Sequence, residues 1–176
     1  MLSDSSKQIA QARRLDNEKY PAFGDLSERK AHTIKGSNQK WLLGCEEAKS
    51  YDKLYMVEGG PDFIAAHALI NDSSTGVIGI LGSFSEIDKR SLELVKGKRV
   101  RIFPHADNAG NNALKSWALQ LSEIACVVDA FDLSGLEDDA GNAVGAHGPG
   151  EIEGRAGADG EQSRAGRLCR RHSWTA

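Results

Sequence analysis

Two short stretches carry the residue types that phosphate chemistry needs. Glu58 stands directly before Gly59 and Gly60, and Asp107 lies well downstream, with His105 two positions before it and Gly110 three after it. Carboxylates are hard oxygen donors, and one or two of them hold a hydrated Mg²⁺ when substrate phosphates supply the remaining ligands. Glycines beside such an acid let a phosphate or nucleotide approach the backbone where a Cβ would stand in the way. Glu58 and Asp107 are therefore the candidate catalytic and metal-binding pair, with Glu58 suited to general acid or base work. Gly59, Gly60 and Gly110 are candidate cofactor-binding backbone positions. His105 either contacts metal or substrate or only hydrogen-bonds its turn. A neutral imidazole suits Mn²⁺ or Zn²⁺ better than Mg²⁺.

For these residues to meet, the chain between them must bring strand ends together. Residues 54–57 are an apolar run ending at Glu58, and Pro61 opens a helix-periodic stretch, the first helical position being where its missing N–H does least harm. Phe63, Ile64, Ala66, His67 and Ile70 are expected on one side of that helix, with Asn71 and Asp72 at its end. His67 and Trp117 read as packing residues, and Asp62 as a first-turn carboxylate that favours the helix dipole. The cycle repeats. Residues 76–81 read as a strand, Gly82 and Ser83 as a turn, and Ser85 as the cap of a helix through Val95 that Gly97 ends. Residues 99–103 read as a third strand, 109–124 as a helix and 126–131 as a fourth strand. Such alternation predicts an α/β fold, a parallel sheet of about four strands with flanking helices. In such sheets ligands collect at the carboxyl edge, where Glu58, Gly82, His105, Asp107 and Asp132 would lie.

The rest of the chain is less regular. Residues 1–50 are polar, with apolar patches at Ile9, 20–23 and 41–43 separated by Gly24, Gly36 and Gly44. They read as a loosely structured lead-in with two short strands. Residues 137–176 hold eight glycines and few bulky apolar side chains, too little to offset the entropy of ordering, so a disordered tail is expected there. That gives three parts: a lead-in at 1–50, the α/β domain at 51–136 and the tail at 137–176.

Residues 57–62 (VEGGPD), an apolar helix and then residues 103–110 (FPHADNAG) together resemble the Toprim domain of bacterial and phage primases, topoisomerases and related nucleases. The resemblance spans residues 53–132. Residues 12–16 (ARRLD) and 37–44 (SNQKWLLG) are similar to the lead-in that precedes Toprim domains in phage-type primases and primase-helicases. The resemblance implies a Rossmann-like parallel sheet and a DNA primase-like nucleotidyltransferase dependent on Mg²⁺ or Mn²⁺. Glu58 and Asp107 would then be catalytic, and Glu58, His105 and Asp107 would hold the metal. His105 occupies the place of the family's first Asp, so a further acid from Asp132, Asp138 or Asp139 is an alternative. The implied partners are nucleic acid (DNA template and nucleotides) and a helicase or another replication protein. Two alternatives stay open: a Toprim-type nuclease, and a catalytically impaired module that binds nucleic acid or a replication partner.

Bulk properties bound the choice. A hydrophobic share of 40% with 27% charged residues suits a globular chain rather than a fibrous one. The net charge of −3 argues against gripping nucleic acid by charge alone. Lys89, Arg90, Lys96, Lys98, Arg99 and Arg101 form one basic window, which is either a nucleic-acid face or a solvated surface. Cys45, Cys126 and Cys169 are too scattered for a zinc ribbon or a disulfide framework. No apolar run approaches the roughly 20 residues of a membrane helix, and a cytoplasmic setting without membrane contact is expected. Neither GxGxxG nor GxxxxGK[ST] occurs, which leaves no dinucleotide fingerprint and no helicase motor loop.

Overall fold

Four short apolar segments, the first three followed by a glycine or proline turn, become four parallel strands. The structure, a computed structural model, describes residues 1–131 apart from 15, 17, 25, 71, 72, 83–85, 106 and 126. The elements in order are β1 (Leu2–Ser3), β2 (Ala10–Arg13), β3 (Ala31–Thr33), α1 (Cys45–Ala48), β4 (Lys53–Glu58), α2 (Gly60–Leu69), β5 (Thr75–Ile80), α3 (Lys89–Leu94), β6 (Arg99–Phe103), α4 (Asn108–Ser122) and β7 (Val127–Ala130). The main sheet has the order β5-β4-β6-β7 and is parallel throughout. Parallel strands covered on both faces read as continuous apolar runs rather than alternating ones. All six residues of β5 are buried accordingly, and so is β4 from Leu54 to Glu58.

The turn after β4 sets the start of α2. Gly59 has φ 89°, which only glycine adopts readily, and Pro61 follows in the first helical turn. Helix α2 stops at Ile70, whose extended backbone donates its N–H to Ala66. Phe63 and Ala66 face the sheet as expected, but Ile64 is 54% exposed and His67 lies at the surface. The buried stripe of α2 is narrow because Phe63 fills it. Its ring lies 2.9 Å from where a Cβ would sit on Gly79, and equally close for Gly44.

Helix α3 begins later than the sequence predicts. Its cap is Asp88, whose side chain accepts from the Arg90 N–H at 2.9 Å. Ile87 N–H donates to Gln120 Oε1 and Asp88 N–H to the Lys40 carbonyl, so those backbone donors are tied elsewhere. The expected cap Ser85 lies outside the described residues, as do Ser83, Asn71, Asp72, Cys126, Asp132, Asp138, Asp139 and the whole of 137–176. Helix α4 buries Ala113, Trp117, Ala118 and Leu121, with Trp117 fully enclosed.

The lead-in differs most from expectation. It forms a three-stranded antiparallel sheet, β1-β2-β3, instead of two loose strands. Ile9, Trp41, Leu42, Leu43 and Cys45 join the same hydrophobic core as the main sheet. Leu43 and Gly79 exchange backbone hydrogen bonds of 2.8 and 2.9 Å, which places the lead-in on the outer edge of β5. Asp4 fastens the N-terminus: its Oδ2 accepts from Gly44 N–H at 2.8 Å and from Trp41 Nε1 at 3.2 Å.

Candidate functional site

Strand order decides where a ligand can sit. From β4 the chain crosses to β5 on one side, then returns past β4 to β6 and continues to β7 on the other. The order reverses between β4 and β6, and a crevice opens at the carboxyl ends of two strands whose connections diverge. Glu58 ends β4, and His105 and Asp107 follow β6, whose Phe103 is paired with Val57. The structure thus brings the sequence-predicted acids to one rim.

Glu58 is 5% exposed. Its Oε2 accepts from the backbone N–H of His105 at 3.2 Å, and its Oε1 lies 3.8 Å from His105 Nδ1. Burial pushes the Glu58 carboxyl above its ordinary pKa, against the opposing effect of the His105 N–H and ring, while Asp107 and Asp62 add to the rise. The other ring nitrogen of His105 faces Asp62: Nε2 lies 3.5 Å from Oδ2. Nε2 is buried without a hydrogen bond, so this contact is electrostatic. Asp62 raises the His105 pKa most, outweighing burial, with Glu58 and Asp107 acting in the same direction. An imidazole is therefore set among three carboxylates, and the protonated ring is the favoured partner for them.

Asp107 is exposed and caps α4, its Oδ1 accepting from Gly110 N–H at 2.7 Å. Gly110 is required at that spot for space, because a Cβ there would lie 2.3 Å from the His105 carbonyl oxygen. The start of α4 is pressed against the backbone that carries His105. Gly59 is open: a Cβ placed there would meet nothing closer than the His105 ring, at 3.7 Å. Gly60 has a different role from the expected phosphate approach: Leu2 and Gln11 fill the space of its missing side chain at 3.1 and 3.2 Å. The lead-in sheet thus walls one side of the rim.

The donor set bears on metal binding. Both ring nitrogens of His105 point at carboxylates rather than at open space. Among the described residues no group of three or more His, Cys, Asp or Glu side chains could hold a metal ion. Mg²⁺ does not require such a cage, since it keeps several waters and uses one or two carboxylates with phosphates. Glu58 and Asp107 suit that lighter form of binding, with Asp107 Oδ2 outside the capping hydrogen bond.

Asp62, read from the sequence as a first-turn carboxylate that favours the helix dipole, stands in the site itself. It is 1% exposed, four positions after Glu58 in the first turn of α2. Its spacing from Glu58 was the available signal, since a strand-end acid and a first-turn acid share one edge of the sheet. Four members of the basic window make contacts within the fold. Arg101 forms a bidentate pair with Asp129, both bonds being 2.8 Å, and Lys98 Nζ donates to the carbonyls of Lys49 and Tyr51. Arg90 reaches Asp88 and Gln8, and Lys96 reaches Glu93.

No helix among the described residues is long and apolar enough to cross a membrane. The chain matches no family model and no curated protein sequence.

Proposed function

We propose that this chain is a Toprim-type domain of a primase-like replication protein that carries out Mg²⁺-dependent nucleotidyl transfer on nucleic acid. The observation that carries this reading is the coincidence of Glu58, His105 and Asp107 with the reversal of strand order between β4 and β6. Bound at Glu58 and Asp107, Mg²⁺ would neutralise phosphate charge and orient the attacking hydroxyl. Mn²⁺ would serve the same donors. Glu58 holds or accepts the proton of that 3′-hydroxyl, its raised pKa bringing it closer to neutral pH. His105 is a positioning residue, fixing Glu58 through its backbone N–H and pairing its ring with Asp62. Asp107, held by Gly110, faces the incoming phosphates beside the N-terminus of α4. DNA template, nucleotides and a helicase or other replication protein are the partners that belong to this reading, in the cytoplasm. Phosphodiester hydrolysis uses the same acids and is the nuclease form of it.

One observation favours a second reading. The His105 ring already stands against both Glu58 and Asp62, at 3.8 and 3.5 Å, which suits a module that binds nucleic acid or a replication partner without catalysis. Primer-synthesis and nuclease assays with Mg²⁺ or Mn²⁺ separate the two, run on wild type, Glu58→Gln and Asp107→Asn. The enzyme reading expects product that falls about 100-fold or more in either variant. Absence of product in every condition, with DNA affinity that persists in EDTA, would replace it by the binding module.

A further inference from the structure

At the amino-terminal edge of the parallel sheet, away from the Glu58 rim, a cavity of about 410 Å³ opens between α1, the end of α2 and the start of β5. This volume lies within the range of small-molecule pockets, roughly 300 to 1,000 Å³. Glu47, Tyr51, His67, Ile70, Thr75 and Gly76 line it. It shares no residue with the site above.

Among the described residues that line it, Glu47 is the acidic one, and it is exposed. Glu47 Oε1 accepts from the Ser5 N–H at 2.7 Å, which fixes the carboxylate and leaves Oε2 outside that bond. Burial alone would raise the Glu47 pKa, yet hydrogen bonds from Ser5 outweigh it and keep the group ionised. The His67 imidazole stands below its ordinary pKa, its partial burial outweighing the opposing pull of Glu47. Helix α2 ends here at Leu69, and the carboxyl end of a ten-residue helix carries partial negative charge. Two lysines stand nearby and keep their charge: Lys49 pairs with Glu46 at 3.2 Å, and Lys98 donates to the Lys49 and Tyr51 carbonyls at 2.6 Å each.

The walls supply the rest of a recognition surface. A Cβ on Gly76 would lie 2.9 Å from the Tyr51 ring and 3.1 Å from Ala48, so glycine lets the aromatic side chain seat directly on β5. The His67 ring is held edge-on to Phe63 with centroids 4.6 Å apart. An exposed carboxylate held by the Ser5 N–H, an aromatic ring and an aliphatic side chain together match an ammonium group attached to an apolar body.

We propose that this cavity is a binding site for a small organic cation, its ammonium group paired with Glu47 and its apolar part lying against Tyr51 and Ile70. Titration of the ¹⁵N-labelled full chain with benzylamine, benzyl alcohol and benzoate tests this by charge alone. Benzylamine at millimolar concentration is expected to shift the amides of His67, Thr75 and Gly76 saturably. Benzyl alcohol should bind about tenfold more weakly or worse, and benzoate not at all. Glu47→Gln, which keeps an acceptor for Ser5, should weaken benzylamine by about tenfold. Glu46→Gln, which lies outside the lining, should leave it unchanged. Equal binding of the amine and the alcohol, no saturable shift with the folded wild type, or a folded Glu47→Gln chain with unaltered affinity would overturn the proposal. The probe ranking is read on wild type alone and stands even where a variant misfolds.

Discussion

Asp62 Oδ2 lies 3.5 Å from His105 Nε2, so a carboxylate in the first turn of α2 faces an imidazole from the loop after β6. The contact joins the two strand-end loops that form the rim. Asp62→Asn is expected to bring the His105 pKa down toward the ordinary value of about 6.5, because its largest raising influence is removed. NMR titration of the His105 ring protons reads this directly, and an unmoved midpoint would refute it.

The same shifts fix the direction of the pH dependence of stability. A raised imidazole pKa stabilises the fold fully below about 6.5, and this contribution is lost as pH climbs through the folded value. Glu58 works in the same direction, since its raised pKa favours the protonated folded form and costs stability above the ordinary carboxyl range. Urea midpoints of the wild type, as far as these two groups set them, should therefore decline from mildly acidic to alkaline pH. Asp62→Asn should flatten the upper part of that decline.

Gly110→Ala tests how tightly the site loop is packed. The new methyl would collide with the His105 carbonyl at 2.3 Å, and backbone cannot yield as a side-chain tip does. Overpacking of this kind costs about 1–3 kcal/mol. Chemical denaturation should show that loss, and the amides of His105 and Asp107 should move in the NMR spectrum while those of β7 do not.

Asp4→Ala removes the acceptor for Gly44 N–H and Trp41 Nε1 together. Leaving part-buried donors without partners costs about 1–3 kcal/mol. Thermal unfolding should show the loss, with Asp4→Asn recovering part of it through its carbonyl oxygen.

Arg101 and Asp129 sit side by side on β6 and β7, with side chains 15% and 18% exposed. Asp129→Asn strips a largely enclosed guanidinium of its counter-charge. A loss of about 1–3 kcal/mol is expected, between the values for exposed and for fully buried pairs. The double variant Arg101→Met with Asp129→Leu should lose less than the single one. A double variant weaker than Asp129→Asn would contradict that ordering.

Much of the architecture could be read from local pattern. The strand at Arg99–Phe103 has the expected bounds and β4 closes at Glu58 as expected, since short apolar runs flanked by glycine or proline leave few alternatives. The start of α3 was missed because Asp88 competes with Ser85 as a cap, and contacts from Lys40 and Gln120 settle the matter from far along the chain. The lead-in was underestimated for a similar reason: Ile9 and the short patch at 41–43 stand in a polar run, and only the pairing of Leu43 with Gly79 and the shared core show that they are interior. Glu58 and Asp107 were legible as strand-end acids. Asp62 was not, because in one dimension it resembles any acidic residue at the start of a helix.

The Leu43–Gly79 pairing has a further consequence. An outermost strand with open amides invites foreign strands to dock, which is a common route to self-association. Here the segment that holds Leu43 pairs with that side, so a chain shortened to start at residue 51 would lose Trp41 to Cys45 from its interior and bare the flank of β5 at once. Such a fragment should self-associate more than the intact chain in sedimentation.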